Sequence, residues 1–220
     1  MSVFLASAAL DAIRWAVDSH LADGVFVTPA ILDTDAFGVA PAAQVESITR
    51  VADVPVLVVV GAVAADDLRA QATEFAKVSE EVVVALPFVE DGIAAMTALA
   101  GSGVRVAATF VVTPAQAMLA AKVGAVYVCI ATDALDAHGH DARVVLRETR
   151  ALFDRGGIEC DVLANVSGGS LSVTEALLAG ADGVVVSAET LRAIVQHPLT
   201  DRELDQMLGD VSRRSRRPGR

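Results

Sequence analysis

Eight short β-rich runs alternate with helical patterns along the 220-residue chain, and this alternation limits the fold more than any other feature. Candidate strands fall at residues 3–6, 24–28, 56–61, 82–86, 104–109, 125–131, 160–164 and 183–187. Helical periodicity fills the intervals, at residues 10–19, 42–50, 66–77, 92–99, 115–122, 142–153, 173–179 and 189–196. Glycine precedes a strand in AGSGVRV, KVGAVYV, RGGIECDV and AGADGVVV, the punctuation of a helix stop followed by a strand start. Eight strand–helix units with no linker between them argue for one (β/α)8 TIM barrel, with a doubly wound sheet as the alternative. The length suits a single large domain with one substantial core.

Composition narrows the setting. The chain is 54% hydrophobic, but its longest apolar run, residues 54–65, is broken by Pro55 and Gly61 and is too short to span a bilayer. No leader pattern opens the sequence, so a cytoplasmic protein is expected. Cys129 and Cys160 lie inside apolar strand patterns and read as buried thiols rather than a disulfide. Five of the 17 basic residues follow Ser212 and no acidic residue does, which leaves the body with 12 basic against 28 acidic side chains. Such a body repels nucleic acid and membrane surfaces. Residues 1–212 are therefore assigned to the barrel with a C-terminal helix, and 213–220 to a basic, disordered tail.

Residues 81–91, EVVVALPFVED, carry four apolar β-formers between acidic ends and read as an interior parallel strand. The segment SEEVVVALPFVEDGIAAMTAL resembles the lysine-bearing strand and following helix of the fructose-6-phosphate aldolase and small transaldolase family. VFLASAALDAIR, LADGVFVTPAIL, VGAVYVCIATDALDAHG and VLANVSGGSLSVTEALLAGADGVVV are similar to other segments of that family, in the same order and almost without gaps. The resemblance implies the transaldolase-like barrel and a ring-like homo-oligomer. It also implies a site, which this chain has largely lost. The family's Schiff-base lysine falls on Ala85, its first-strand acid on Ala6, its asparagine on Thr28 and its glutamine on Val59. Its sixth-strand tyrosine falls on Ala131, and the arginine and serine that hold the phosphate end fall on Ala134 and Val166. The fifth-strand threonine alone survives, as Thr109.

No other amine can stand in. Lys77 and Lys122 are the only lysines, and both sit at helix ends just before a strand, on the face of the barrel opposite the catalytic one. What remains at the expected mouth is apolar (Ala6, Phe26, Val59, Ala85, Ala131, Val166) with a few neutral polar groups, Thr28, Thr109, Cys129 and Asn165. That lining favours a small, weakly polar carbonyl compound over a sugar phosphate, and none of it calls for a cofactor. The segment from Thr132 to Asp141 reads as a rim loop holding His138, His140 and three carboxylates, among them Asp136. Two imidazoles and a carboxylate can work as an acid–base pair or hold a divalent metal, and Asp141 also suits a helix N-cap. Ser167 opens SGGS, where barrels often bind phosphate through backbone amides. The leading expectation is a lysine-independent lyase, cyclase or dehydratase, with Thr109, Asp136, His138 and His140 as catalytic candidates. The alternative is an inactive barrel kept as a binding or scaffolding subunit; a metal-dependent lyase is third.

Overall fold

The computed structural model describes residues 1–62 and 64–215. Eight parallel strands close in sequence order into one barrel: β1 (Ser2–Ala6), β2 (Gly24–Val27), β3 (Val56–Val59), β4 (Val82–Pro87), β5 (Val106–Val111), β6 (Ala125–Ile130), β7 (Asp161–Asn165) and β8 (Gly183–Ser187). Helices α1 (Leu10–Asp18), α2 (Pro29–Asp35), α3 (Pro41–Val51), α4 (Ala65–Ala76), α5 (Glu90–Gly101) and α6 (Pro114–Lys122) follow the first five strands. The remainder are α7 (Thr132–Ala137), α8 (Ala142–Gly156), α9 (Ser170–Leu178), α10 (Ala188–Val195) and α11 (Pro198–Ser215). The doubly wound alternative is excluded by the β1–β8 pairing, which runs from Ser2↔Gly183 to Ala6↔Ser187.

Side chains alternate across each strand, so the apolar runs feed two cores at once. Leu5, Val25, Val58, Val84, Ala108, Val128, Ala164 and Val184 pack outwards under the helices. Phe4, Phe26, Leu57, Val59, Val83, Ala85, Ala107, Cys129, Leu163 and Val185 fill the interior. The lower interior takes the large rings: Phe4 meets Tyr127 edge-on, with centroids 5.5 Å apart. Gly24 makes room for Phe4, since a Cβ there would lie 2.2 Å from the ring. Gly124 and Gly180 both hold φ at 105°, a conformation open to glycine but not to side-chain-bearing residues, and so turn the chain into β6 and β8.

Sequence periodicity missed two helices. Thr28, expected as the last residue of the second strand, instead starts α2: its hydroxyl accepts from the Ile31 amide at 3.2 Å, and Pro29 supplies the helical φ of the first turn. Residues 132–137, expected as loop, form α7. Strand β5 starts and ends later than expected because it runs on past Thr109 through an irregularity to Val111. Helix α11 takes in Arg213 and Arg214 of the expected tail, while Arg216, Arg217 and Arg220 lie outside the described residues. Among the described residues, no helix is long and apolar enough to cross a membrane.

Candidate functional site

Loops and side chains at the C-terminal ends of barrel strands form the working face of this fold. The last inward residues of the odd strands are Ala6, Val59, Thr109 and Asn165, and alternate strands share a layer in an eight-stranded barrel. Between them stand Phe26, Ala85, Cys129 and Val185 from the even strands. Ala85 is wholly buried, in register with Val59 on one side and Ala107 on the other. Ala6 and Asn165 are half-buried, whereas Phe26, Val59, Thr109, Cys129 and Val185 are buried. The two lysines are far from this layer in the fold: Lys77 caps the C-terminus of α4 and Lys122 ends α6, each leading into the start of a strand.

Three buried side-chain oxygens lack a hydrogen-bond partner among the described residues. Two of them, Thr109 Oγ1 and Asn165 Oδ1, belong to the layer at the mouth. The third, Thr149 Oγ1, is on α8 in the helix layer. An unsatisfied buried polar atom costs about 1–3 kcal/mol, so the pair at the mouth is an expensive feature for packing alone. Chemically the pair offers one hydroxyl, able to donate and accept, and one carbonyl acceptor. Cys129 beside them is no nucleophile: burial pushes its thiol up to about 12, and a nucleophilic cysteine needs the thiolate.

A β-bulge reshapes the rim next to Thr109. Ala108 pairs with Val128 and Val111 with Ile130, so Thr109 and Phe110 together face the single residue Cys129. Phe110 has φ 59°, in the left-handed region, and is 64% exposed. For a bulky residue that backbone costs of order 1–2 kcal/mol. Nothing in the apolar periodicity of VRVAATFVV marks this insertion, because a bulge is a matter of strand register.

Several residues expected at the mouth do other work. Val166 follows the inward Asn165 and therefore points outwards, into the layer beneath the helices. Ala131 is half-buried at the N-cap of α7, where its amide donates to the Val111 carbonyl. The Ser167 amide donates to the Asp133 carboxylate at 3.1 Å, so an acid already occupies the donor that a phosphate would need. Asp136 accepts from the Ala142 amide at 3.1 Å, and Asp141 caps α8 through the Arg143 amide, so both carboxylates secure the start of one helix. His138 caps α7 through its own Nδ1, 2.7 Å from the Ala134 carbonyl, and is exposed, as is His140. Among the described residues, no group of three or more histidine, cysteine or carboxylate side chains could hold a metal ion. Asp136, His138 and Asp141 thus serve the helix ends of the rim. One cleft does border it: about 380 Å³ between α7, α8 and α9, lined in part by Asp133, Asp136, Arg143, Glu175 and Ser167.

The comparisons agree with this architecture. A family model described as Transaldolase/Fructose-6-phosphate aldolase matches residues 9–217. The chain is 32% identical over 213 residues to a protein named "Probable transaldolase" from Caulobacter vibrioides, covering 96% of each chain. It is 31% identical over 210 residues to "Probable transaldolase 1" of Bacillus cereus, covering 96% of this chain and 97% of that one. A "Probable transaldolase" of Thermodesulfovibrio yellowstonii is 29% identical over 210 residues, with the same coverage.

Proposed function

The chain belongs to the transaldolase/fructose-6-phosphate aldolase family, and from that premise we propose that it has given up Schiff-base chemistry and binds a small neutral carbonyl compound non-covalently at the barrel mouth. One observation carries this reading: Thr109 Oγ1 and Asn165 Oδ1 are buried without protein partners in an otherwise apolar layer. A ligand carbonyl would accept from Thr109, and a ligand hydroxyl or enol would donate to Asn165. The apolar walls exclude sugar phosphates on desolvation grounds, because a dianion in such a lining would be left without a counter-charge. The reading favours binding over turnover because burial pushes up the two titratable groups of the apolar interior cluster, the Cys129 thiol and the Tyr127 phenol, and Asp161 lies beside Tyr127 at the opposite end of the barrel from the mouth. A homo-oligomer is part of the same proposal, supported by Leu199, Leu204, Met207 and Leu208, which α11 leaves exposed.

A second reading keeps turnover. A lysine-independent lyase, cyclase or dehydratase would use Asp136 as its acid or base, with His138 and His140 beside it. The observation in its favour is the cleft at the catalytic face into which Asp136 opens. Its weakness is that Asp136 and His138 are already engaged as caps.

Thr109→Val separates function from packing. Removing a partnerless hydroxyl should stabilise the free protein by about 1–3 kcal/mol, raising the thermal midpoint, while the variant loses binding of hydroxyacetone measured by ligand-observed NMR. A variant that is less stable than the parent, or binds hydroxyacetone equally well, would show that the hydroxyl serves the fold and not a ligand.

A further inference from the structure

We propose that Phe110 is the specificity residue of the mouth and selects ligands whose carbonyl is attached to a planar, unsaturated body such as an aryl ketone. This inference rests on the binding reading above and adds the class of compound bound. In an uninterrupted strand Phe110 would follow Ala108 into the helix layer, where Ala108 and Val111 are completely buried. The bulge prevents that. It places Phe110 and the inward-facing Thr109 opposite one residue, Cys129, whose side chain is also interior. A bulge of this kind re-aims a side chain without disturbing the rest of the strand. The ring therefore stands at the rim on the side of Thr109, and its 64% exposure leaves a face available to a ligand.

Two further observations point the same way. The backbone at Phe110 is held at a φ that disfavours a bulky side chain, and strain of this sort persists where the surroundings over-determine it, commonly at ligand sites. Next to it, the end of β4 is tied to β5 by the Phe88 amide donating to the Thr109 carbonyl at 3.0 Å. Val89, 49% exposed at the N-cap of α5, follows Phe88 on the same stretch of rim and adds an apolar surface there. A ligand whose carbonyl reaches Thr109 must pass its remaining atoms along this wall. A flat π-system can lie offset on the Phe110 ring, whereas a puckered saturated ring of equal size cannot, and aromatic pairs gain from such offset or edge contacts.

Acetophenone and cyclohexyl methyl ketone make the comparison, since they share a methyl ketone and a six-carbon ring and differ in planarity. Dissociation constants would be measured by NMR titration on the full-length chain and on Phe110→Ala, Phe110→Tyr, Phe110→Gly and Thr109→Val. The parent is expected to bind acetophenone more tightly, and Phe110→Ala to weaken acetophenone by roughly fivefold while leaving cyclohexyl methyl ketone unchanged. Phe110→Tyr should retain the preference. Phe110→Gly should lose it yet unfold at a higher temperature, because glycine relieves the left-handed backbone. A merely structural ring would give the reverse, a less stable glycine variant. Equal binding of acetophenone by the parent and Phe110→Ala would overturn the proposal while leaving the binding reading intact if Thr109→Val still loses both ketones. Failure of the parent to bind either ketone would overturn the proposal, and failure to bind hydroxyacetone as well would overturn the binding reading with it.

Discussion

Ala85→Lys is expected to destabilise the protein by several kcal/mol and to restore no aldolase turnover. Ala85 is fully buried, and its register neighbours are Val59 and Ala107. An amine placed there loses hydration without gaining a carboxylate, because the strands around it place Ala6, Val59 and Ala107 in this layer. Desolvation depresses a buried lysine by up to about 3–5 pKa units, each worth 1.36 kcal/mol, and the added methylenes overfill a closed layer. The destabilisation should depend on pH in one direction only. A lysine whose folded pKa is depressed binds fewer protons than the unfolded chain, so the penalty is greatest near neutrality and below and shrinks as pH rises towards 10. Urea unfolding of parent and variant at two pH values checks the first part, and an aldol-cleavage assay with fructose 6-phosphate checks the second. Measurable cleavage by the variant would mean that the pocket still holds most of what the amine needs.

Phe4→Ala is expected to cost about 3–5 kcal/mol, the range for deleting a buried aromatic side chain. Phe4 is 1% exposed, stacks edge-on against Tyr127 and occupies the space that Gly24 leaves by having no Cβ. The space cannot be refilled from Gly24, which has no side chain. Against a typical total stability of about 5–15 kcal/mol, this loss brings the chain close to its folding threshold. Chemical unfolding should show the midpoint fall with little change in slope. A loss below about 1 kcal/mol would mean that the barrel floor repacks, and that Gly24 is not there to admit the ring.

The barrel was legible because its cause is local. Unbroken β-rich runs such as VVVAL, spaced by helical periods and closed by Gly124 or Gly180, leave few other ways to bury both faces of a strand. The interior phase was legible too, since fixing Ala85 as inward assigns Phe26, Val59, Thr109, Cys129 and Asn165 by alternation, and all five lie on the inward face. The same rule should have removed Val166, because β7 pairs without a bulge and Val166 follows the inward Asn165. At the rim, the N-cap expected of Asp141 is present, while the capping roles of Asp136 and His138 were not legible. Asp136, His138 and Asp141 have the composition of an acid–base cluster, but short polar side chains at helix ends satisfy backbone groups first, and here they cap α7 and α8. Phe110 gave no signal at all, because composition does not record which strand carries an extra residue.

The proposed loss of amine chemistry is tested most directly by trapping. The native chain would be incubated with dihydroxyacetone and sodium borohydride, digested after intact-mass measurement, and compared with the same chain unfolded in urea. The native protein is expected to keep its unmodified mass, with any trace of reduced imine no greater than in the unfolded control. A stoichiometric adduct formed only in the native state, mapped to Lys77 or Lys122, would contradict the reading of Ala85 and return the protein to Schiff-base catalysis.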